Sequence, residues 1–183
     1  QPSSRWYSGI GIYRDVTLSY RDKVQVAENG NHITTPKLAE QKDGNVETQI
    51  QSKIKNTAKT LAKVFVEQQI FTKEGQAVSD LVRSVTKTLS GNETADFKQT
   101  ILVNKPTLWT TKSYHPQLYV LKTKVYNEGQ LVDVTEDTFG YRYFNWTAKE
   151  GFSLNGERMK FHGVSIHHDN GALGAEENYK ATY

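Results

Sequence analysis

The 183-residue sequence has no cysteine. That absence removes disulfides, thiolate metal sites and cysteine nucleophiles in one step. It does not choose between bacterial cytoplasm and cell surface, so the compartment stays open. No apolar run approaches the length a membrane span requires. Gln1-Pro2-Ser3-Ser4 lacks the charged-then-apolar order of a signal peptide, and the start reads as a cut through a longer chain. Linkers rich in Pro or Ser, repeats and low-complexity stretches are missing too. The formal net charge of +3 does not point to nucleic acid. Lys53 and Lys55 flank Ile54, and Lys122 and Lys124 flank Thr123, the spacing of a solvated strand face. A phosphate-binding surface concentrates its cations into a patch with stacking aromatics.

What the sequence does have is 11% aromatic residues, Tyr foremost, with abundant Val and Thr. These favour strands. Residues 46–56 alternate, with Val46, Thr48, Ile50, Ser52 and Ile54 on one face and Glu47, Gln49, Gln51, Lys53 and Lys55 on the other, a half-buried strand. In residues 61–71 Val64, Val66 and Ile70 share a face, while Phe65 and Phe71 point with the polar set and predict an outward apolar spot. Residues 77–89 fit a helical spacing through Val78, Leu81, Val82 and Val85, but Val, Thr and the following Ser90-Gly91 favour a strand. Residues 32–38, 97–103, 117–126 and 131–139 complete the extended segments. Glu28–Asn31, Lys42–Asn45 and Asn127–Gln130 read as turns. Short strands with turn signals every eight to twelve residues or so predict an all-β, immunoglobulin-like β-sandwich. Without a disulfide its core stands on packing alone.

Beyond the sandwich, Phe152 and Leu154 lead into Asn155-Gly156, the pair a two-residue type I′ turn needs, and residues 157–166 return extended. On the return Met159 and Phe161 share one face, with Arg158, Lys160 and His162 on the other. The apolar pattern then gives way to His167, His168, Asp169 and Asn170.

The stretch FxLNGExxxxHGVSxHHDNGALG resembles the hinge between the immunoglobulin-like domain and the catalytic barrel of family 2 glycoside hydrolases, the β-galactosidases most of all. RWYxGxGIYR near the start, and LWxxxxxxPxLYxLxxxVY with GxxVDxxxxxFGYR from Leu108 to Arg142, are similar to the same family. The resemblance implies that residues 1–20 close a jelly-roll domain and residues 21–144 form the sandwich. Residues 145–183 then hold a linker, the hairpin and the first strand of a truncated TIM barrel. It implies a parent that hydrolyses terminal β-galactosides. It also puts the two catalytic glutamates and the magnesium ligands on later barrel strands, so this stretch holds no cofactor and is inactive alone.

Retaining hydrolysis needs two carboxylates about 5 Å apart, and the adjacent Glu176 and Glu177 diverge on helix or strand alike. By the resemblance His167 sits in the sugar-binding subsite, where a neutral imidazole can donate to or accept from a hydroxyl. Asp169 and Asn170 are its candidate neighbours. His168 stands where many members have an acid. Two rival readings are a stand-alone immunoglobulin-like adhesion module, since the fold carries no function by itself, and a metal site at His162, His167, His168 and Asp169, which needs a tight loop to converge. An apolar surface around Met159, Phe161 and Val164 is expected, covered by the tail or by a second copy.

Overall fold

The computed structural model describes residues 12, 15–112 and 116–165. The chain falls into two compact units, Arg21–Met159 and a second made of Gln1–Tyr20 with Lys160–Tyr183. The described residues of the second unit, 12, 15–20 and 160–165, carry no regular secondary structure.

The first unit is all-β. Its elements are β1 (Val24–Thr34), α1 (Leu38–Gln41), β2 (Asn45–Asn56), β3 (Ala62–Thr72), β4 (Val82–Arg83), β5 (Lys87–Leu89), β6 (Thr94–Asn104), β7 (Tyr119–Asn127), β8 (Gln130–Phe139), β9 (Phe144–Thr147), β10 (Gly151–Leu154) and β11 (Glu157–Arg158). One sheet runs β1-β2-β6 and faces a second, β4-β3-β7-β8, with β5 also on the edge of β3. β1 passes over β7 and β8, and β6 over β3 and β4. All the pairs are antiparallel. β2 and β7 therefore take the places of the central B and F strands of an immunoglobulin-like sandwich. A third small sheet, β11-β10-β9, follows.

The alternation in residues 46–56 predicts the register of β2, and Val46, Thr48, Ile50, Ser52 and Ile54 are all buried. Two apolar clusters form the core. One joins Val24, Val26, Ile54, Val64, Val66, Leu89, Phe97 and Val125. The other joins Leu38, Val46, Ile50, Ile70, Ile101, Val103, Tyr119, Leu121 and Tyr141. Each fully buried Val, Leu, Ile or Phe contributes about 1.5–3 kcal/mol.

Between the clusters runs a polar seam where antibody domains carry their inter-sheet disulfide. Gln68 Nε2 donates to Ser52 Oγ and to Thr123 Oγ1, both at 2.9 Å. Ser52 Oγ donates to Asn31 Oδ1 at 2.5 Å. Asn31 Nδ2 in turn donates to Asp137 Oδ2 at 2.6 Å and Thr135 Oγ1 at 3.1 Å. Nearby, Asp133 accepts from Val26 N at 2.9 Å and pairs with Arg21 at 3.3 Å. Strand β8 thus turns carboxylates inward toward the opposite sheet, a device that discourages edge-to-edge pairing.

Several local expectations change. Glu28–Asn31 is a bulge inside β1, not a turn between strands: the register with β2 shifts between Val26 and Asn31, and Asn29 has φ 50°. Gly30 is required there, because a Cβ would stand 2.7 Å from Ala27 O and 3.0 Å from Lys53 O. Strand β1 stops at Thr34, just ahead of Pro36, and Leu38 opens α1 to close one end of the core. Residues 77–89 line the edge of β3 in pieces. Ser79 and Ser84 hydroxyls accept from Ile70 N and Val66 N, each at 3.0 Å, where a continuous strand would use backbone carbonyls. The outward Phe65 is covered, with Tyr126 stacked at 4.6 Å and the Arg83 guanidinium 3.6 Å above it.

Candidate functional site

His167, Asp169 and Asn170, the sequence candidates for sugar binding, lie outside the described residues, as does His168. His162 is described and exposed. Among the described residues no group of three or more His, Asp or Glu could hold a metal ion. No described helix is long and apolar enough to cross a membrane.

What the structure places in detail is the surface built by the sequence motifs themselves. Trp109 N donates to Tyr141 O at 2.8 Å, which lays Leu108-Trp109 against Phe139–Arg142. The Arg142 guanidinium stands 4.8 Å from the Trp109 ring centre. Gly140 makes the approach feasible, since a Cβ there would meet Trp109 Cβ at 2.8 Å. Tyr141 itself is fully buried and shares a 2.8 Å hydrogen bond with Thr48. Burial holds its hydroxyl well above the usual phenol range. Tyr119 at the head of β7 accepts from Thr107 N at 2.9 Å, a variation on the tyrosine corner that pins the crossover between sheets.

Asn155 locks the hairpin to this surface. Its φ of 52°, with Gly156 at 83°, gives the type I′ turn expected from Asn-Gly. Its side chain accepts from Tyr143 N at 3.1 Å and donates to Trp109 O at 2.8 Å. Among the described residues the return strand is shorter than expected: only Glu157–Arg158 pairs, with one further bond from Met159 N to Phe152 O. The reason is its partner, because β10 begins at Gly151, whose φ of 73° turns the chain away. On the other side β10 pairs with β9, residues the sequence reads as linker. That pairing sets Phe144 and Trp146, 70% and 66% exposed, beside Phe152.

The groove beside these residues has a volume of about 780 Å³ and is lined by Trp109, Phe139, Arg142, Tyr143 and Phe144 among others, with no carboxylate among the described residues of its walls. A second groove, about 660 Å³, holds Asp43 and Glu157, each paired with a lysine, Lys42 and Lys112. The aromatic groove suits packing or stacking.

Residues 30–142 match the profile of glycosyl hydrolases family 2. A β-galactosidase from Bacteroides ovatus is 36% identical over 181 residues, 99% of this chain and 20% of that protein. A β-glucuronidase from Bacteroides fragilis is 26% identical, over 90% of this chain and 23% of that protein. Among solved structures, a family 2 member from Bacteroides cellulosilyticus superposes with a TM-score of 0.84 at 32% identity, covering 97% of this chain and 23% of its own. A β-glucuronidase from Bacteroides uniformis gives 0.77 at 28%, covering 92% and 20%. The chain thus spans about a fifth of the length of the curated relatives it matches. Because the matched profile takes in more than half of its residues, the chain belongs to glycosyl hydrolase family 2.

Proposed function

We propose that this chain is the non-catalytic, immunoglobulin-like segment of a longer retaining glycosidase, a β-galactosidase, in which it braces the catalytic barrel. The observation that carries the reading is the 36% identity to the Bacteroides ovatus β-galactosidase along 99% of the chain. A match that continues through the tail favours a glycosidase segment over an adhesion module. In this reading residues 1–20 end a preceding domain, and His167 with Asp169 and Asn170 contributes to the sugar subsite from the first barrel strand. The acid/base, the nucleophile and any magnesium belong to later parts of the longer protein. Phe144 and Trp146 then belong to a surface that packs on the barrel, or on a second copy when the segment is isolated.

The relatives from Bacteroides fragilis and Bacteroides uniformis support a second reading, in which the longer protein is a β-glucuronidase. The two sugars differ at two carbons: the C4 hydroxyl is axial in the galactoside and equatorial in the glucuronide, and C6 is a hydroxymethyl in one and a carboxylate in the other. Assaying the longer protein on nitrophenyl β-galactoside and nitrophenyl β-glucuronide separates them. Turnover of the galactoside alone supports the first reading. Turnover of the glucuronide alone replaces it, and turnover of neither overturns both.

A further inference from the structure

The polar seam leaves three buried atoms without a protein partner among the described residues: Gln68 Oε1, Gln99 Nε2 and Gln99 Oε1. Gln68 is fully buried and Gln99 is 8% exposed, so bulk water does not serve them. A buried amide group left without a partner bears its desolvation cost uncompensated, and three such atoms in one core demand a partner.

Rotating the Gln68 amide does not remove the problem. Ser52 Oγ gives its one hydrogen to Asn31 Oδ1, at 2.5 Å. Toward Gln68 it can therefore only accept, which fixes Nε2 on the Ser52 side and turns Oε1 the other way. Oε1 then needs a donor.

Gln99 stands on the same side of that site. On the inner face of the first sheet, Ser52 pairs with Phe97 and Ile50 with Gln99, which puts Gln99 diagonally across from Ser52, within reach of a long side chain. Its strand β6 crosses over β3 and β4, and Gln68 lies on β3 beside β4. Both open amides thus border the same part of the sandwich interior.

We propose that a single buried water molecule is built into the sandwich between Gln68 and Gln99. One hydrogen goes to Gln68 Oε1 and the other to Gln99 Oε1, and the water oxygen accepts from Gln99 Nε2. All three open atoms are satisfied by three hydrogen bonds, the usual number for an internal water. The site is selective for water by chemistry: it presents two acceptors and one donor and no net charge, which suits neither a cation nor an anion. It also accounts for Gln99, a polar residue set between Phe97 and Ile101 on an inward face.

A crystal structure of the 183-residue chain, at a resolution that shows solvent, is the direct test. The expected result is one density peak about 2.7–3.2 Å from Gln68 Oε1 and from both Gln99 amide atoms. In solution, the Gln99 side-chain amide protons should show a cross-relaxation peak to a long-lived water, lost in Gln68→Leu while the spectrum stays folded and the Gln99 amide signals remain. Direct bonding between the two amides, an empty site, or amide protons with no water contact would each overturn the proposal.

Discussion

Ser52 on β2 and Thr123 on β7 face each other across the sandwich, joined by the Gln68 amide nitrogen that donates to both at 2.9 Å. Where antibody domains bridge these two strands covalently, this cysteine-free chain uses hydrogen bonds. Such a bridge is satisfied only when every member is present, since each removal leaves another group buried without a partner.

Ser52→Ala therefore leaves Asn31 Oδ1 and Gln68 Nε2 short of a partner and should cost about 1–3 kcal/mol. Thr123→Val, close in volume, should cost a similar amount. Because both act on the same amide, the double variant should lose less than the sum, with a coupling of about 0.5 kcal/mol or more. Urea unfolding checks this through midpoint shifts at constant slope. Additive losses would break the account of the seam.

Tyr141 predicts an alkaline limit to stability. Its phenol is held above the ordinary value of 10.0 by burial. The folded state keeps this proton while the unfolded chain releases it near pH 10, so the contribution is complete below pH 10 and is lost as pH rises toward the folded value. Between those limits stability should fall by about 1.4 kcal/mol per pH unit for this one group. Tyr141→Phe should flatten that slope while lowering stability at neutral pH by about 1 kcal/mol through the unpaired Thr48 hydroxyl. Denaturant midpoints from pH 8 to pH 11 give both quantities.

Gly140→Ala places a methyl 2.8 Å from Trp109 Cβ and 3.1 Å from its Cγ. These atoms lie at the root of the side chain and cannot swing aside. Overpacking of this kind costs about 1–3 kcal/mol. Tryptophan emission should change with it, as the ring leaves Arg142.

Asn155→Ala removes the bonds to Tyr143 N and Trp109 O and puts alanine, which favours the left-handed region less than asparagine does, at φ 52°. A loss of about 2 kcal/mol follows from the two bonds and the left-handed backbone together. Hydrogen exchange at the Tyr143 amide should accelerate, while amides in the centre of β2 keep their protection.

The sandwich was legible where side-chain alternation and turn chemistry agreed, as in residues 46–56, at Asn155-Gly156 and at the turn that joins β7 to β8. It was illegible where turn-forming residues served another purpose. Glu28-Asn29-Gly30 has every mark of a hairpin loop, yet its φ values build a bulge within β1. Ser79 and Ser84 imitate backbone acceptors, so residues 77–89 follow the edge of β3 without forming one strand. Gln68 left a readable sign as a polar residue in the inward series Val64, Val66, Ile70. Its partners, from Asn31 to Thr123, are set by tertiary pairing and carry no local signal. Of the proposed sugar site, His167, Asp169 and Asn170 were named from sequence alone and fall outside the described residues.

The measurement closest to the central claim compares the 183-residue chain with the longer protein on nitrophenyl β-galactoside, at equal molar concentration. The account predicts turnover by the longer protein and a rate for the chain no greater than that of buffer. Hydrolysis by the chain itself would contradict the account, because the chain would then carry its own pair of catalytic carboxylates.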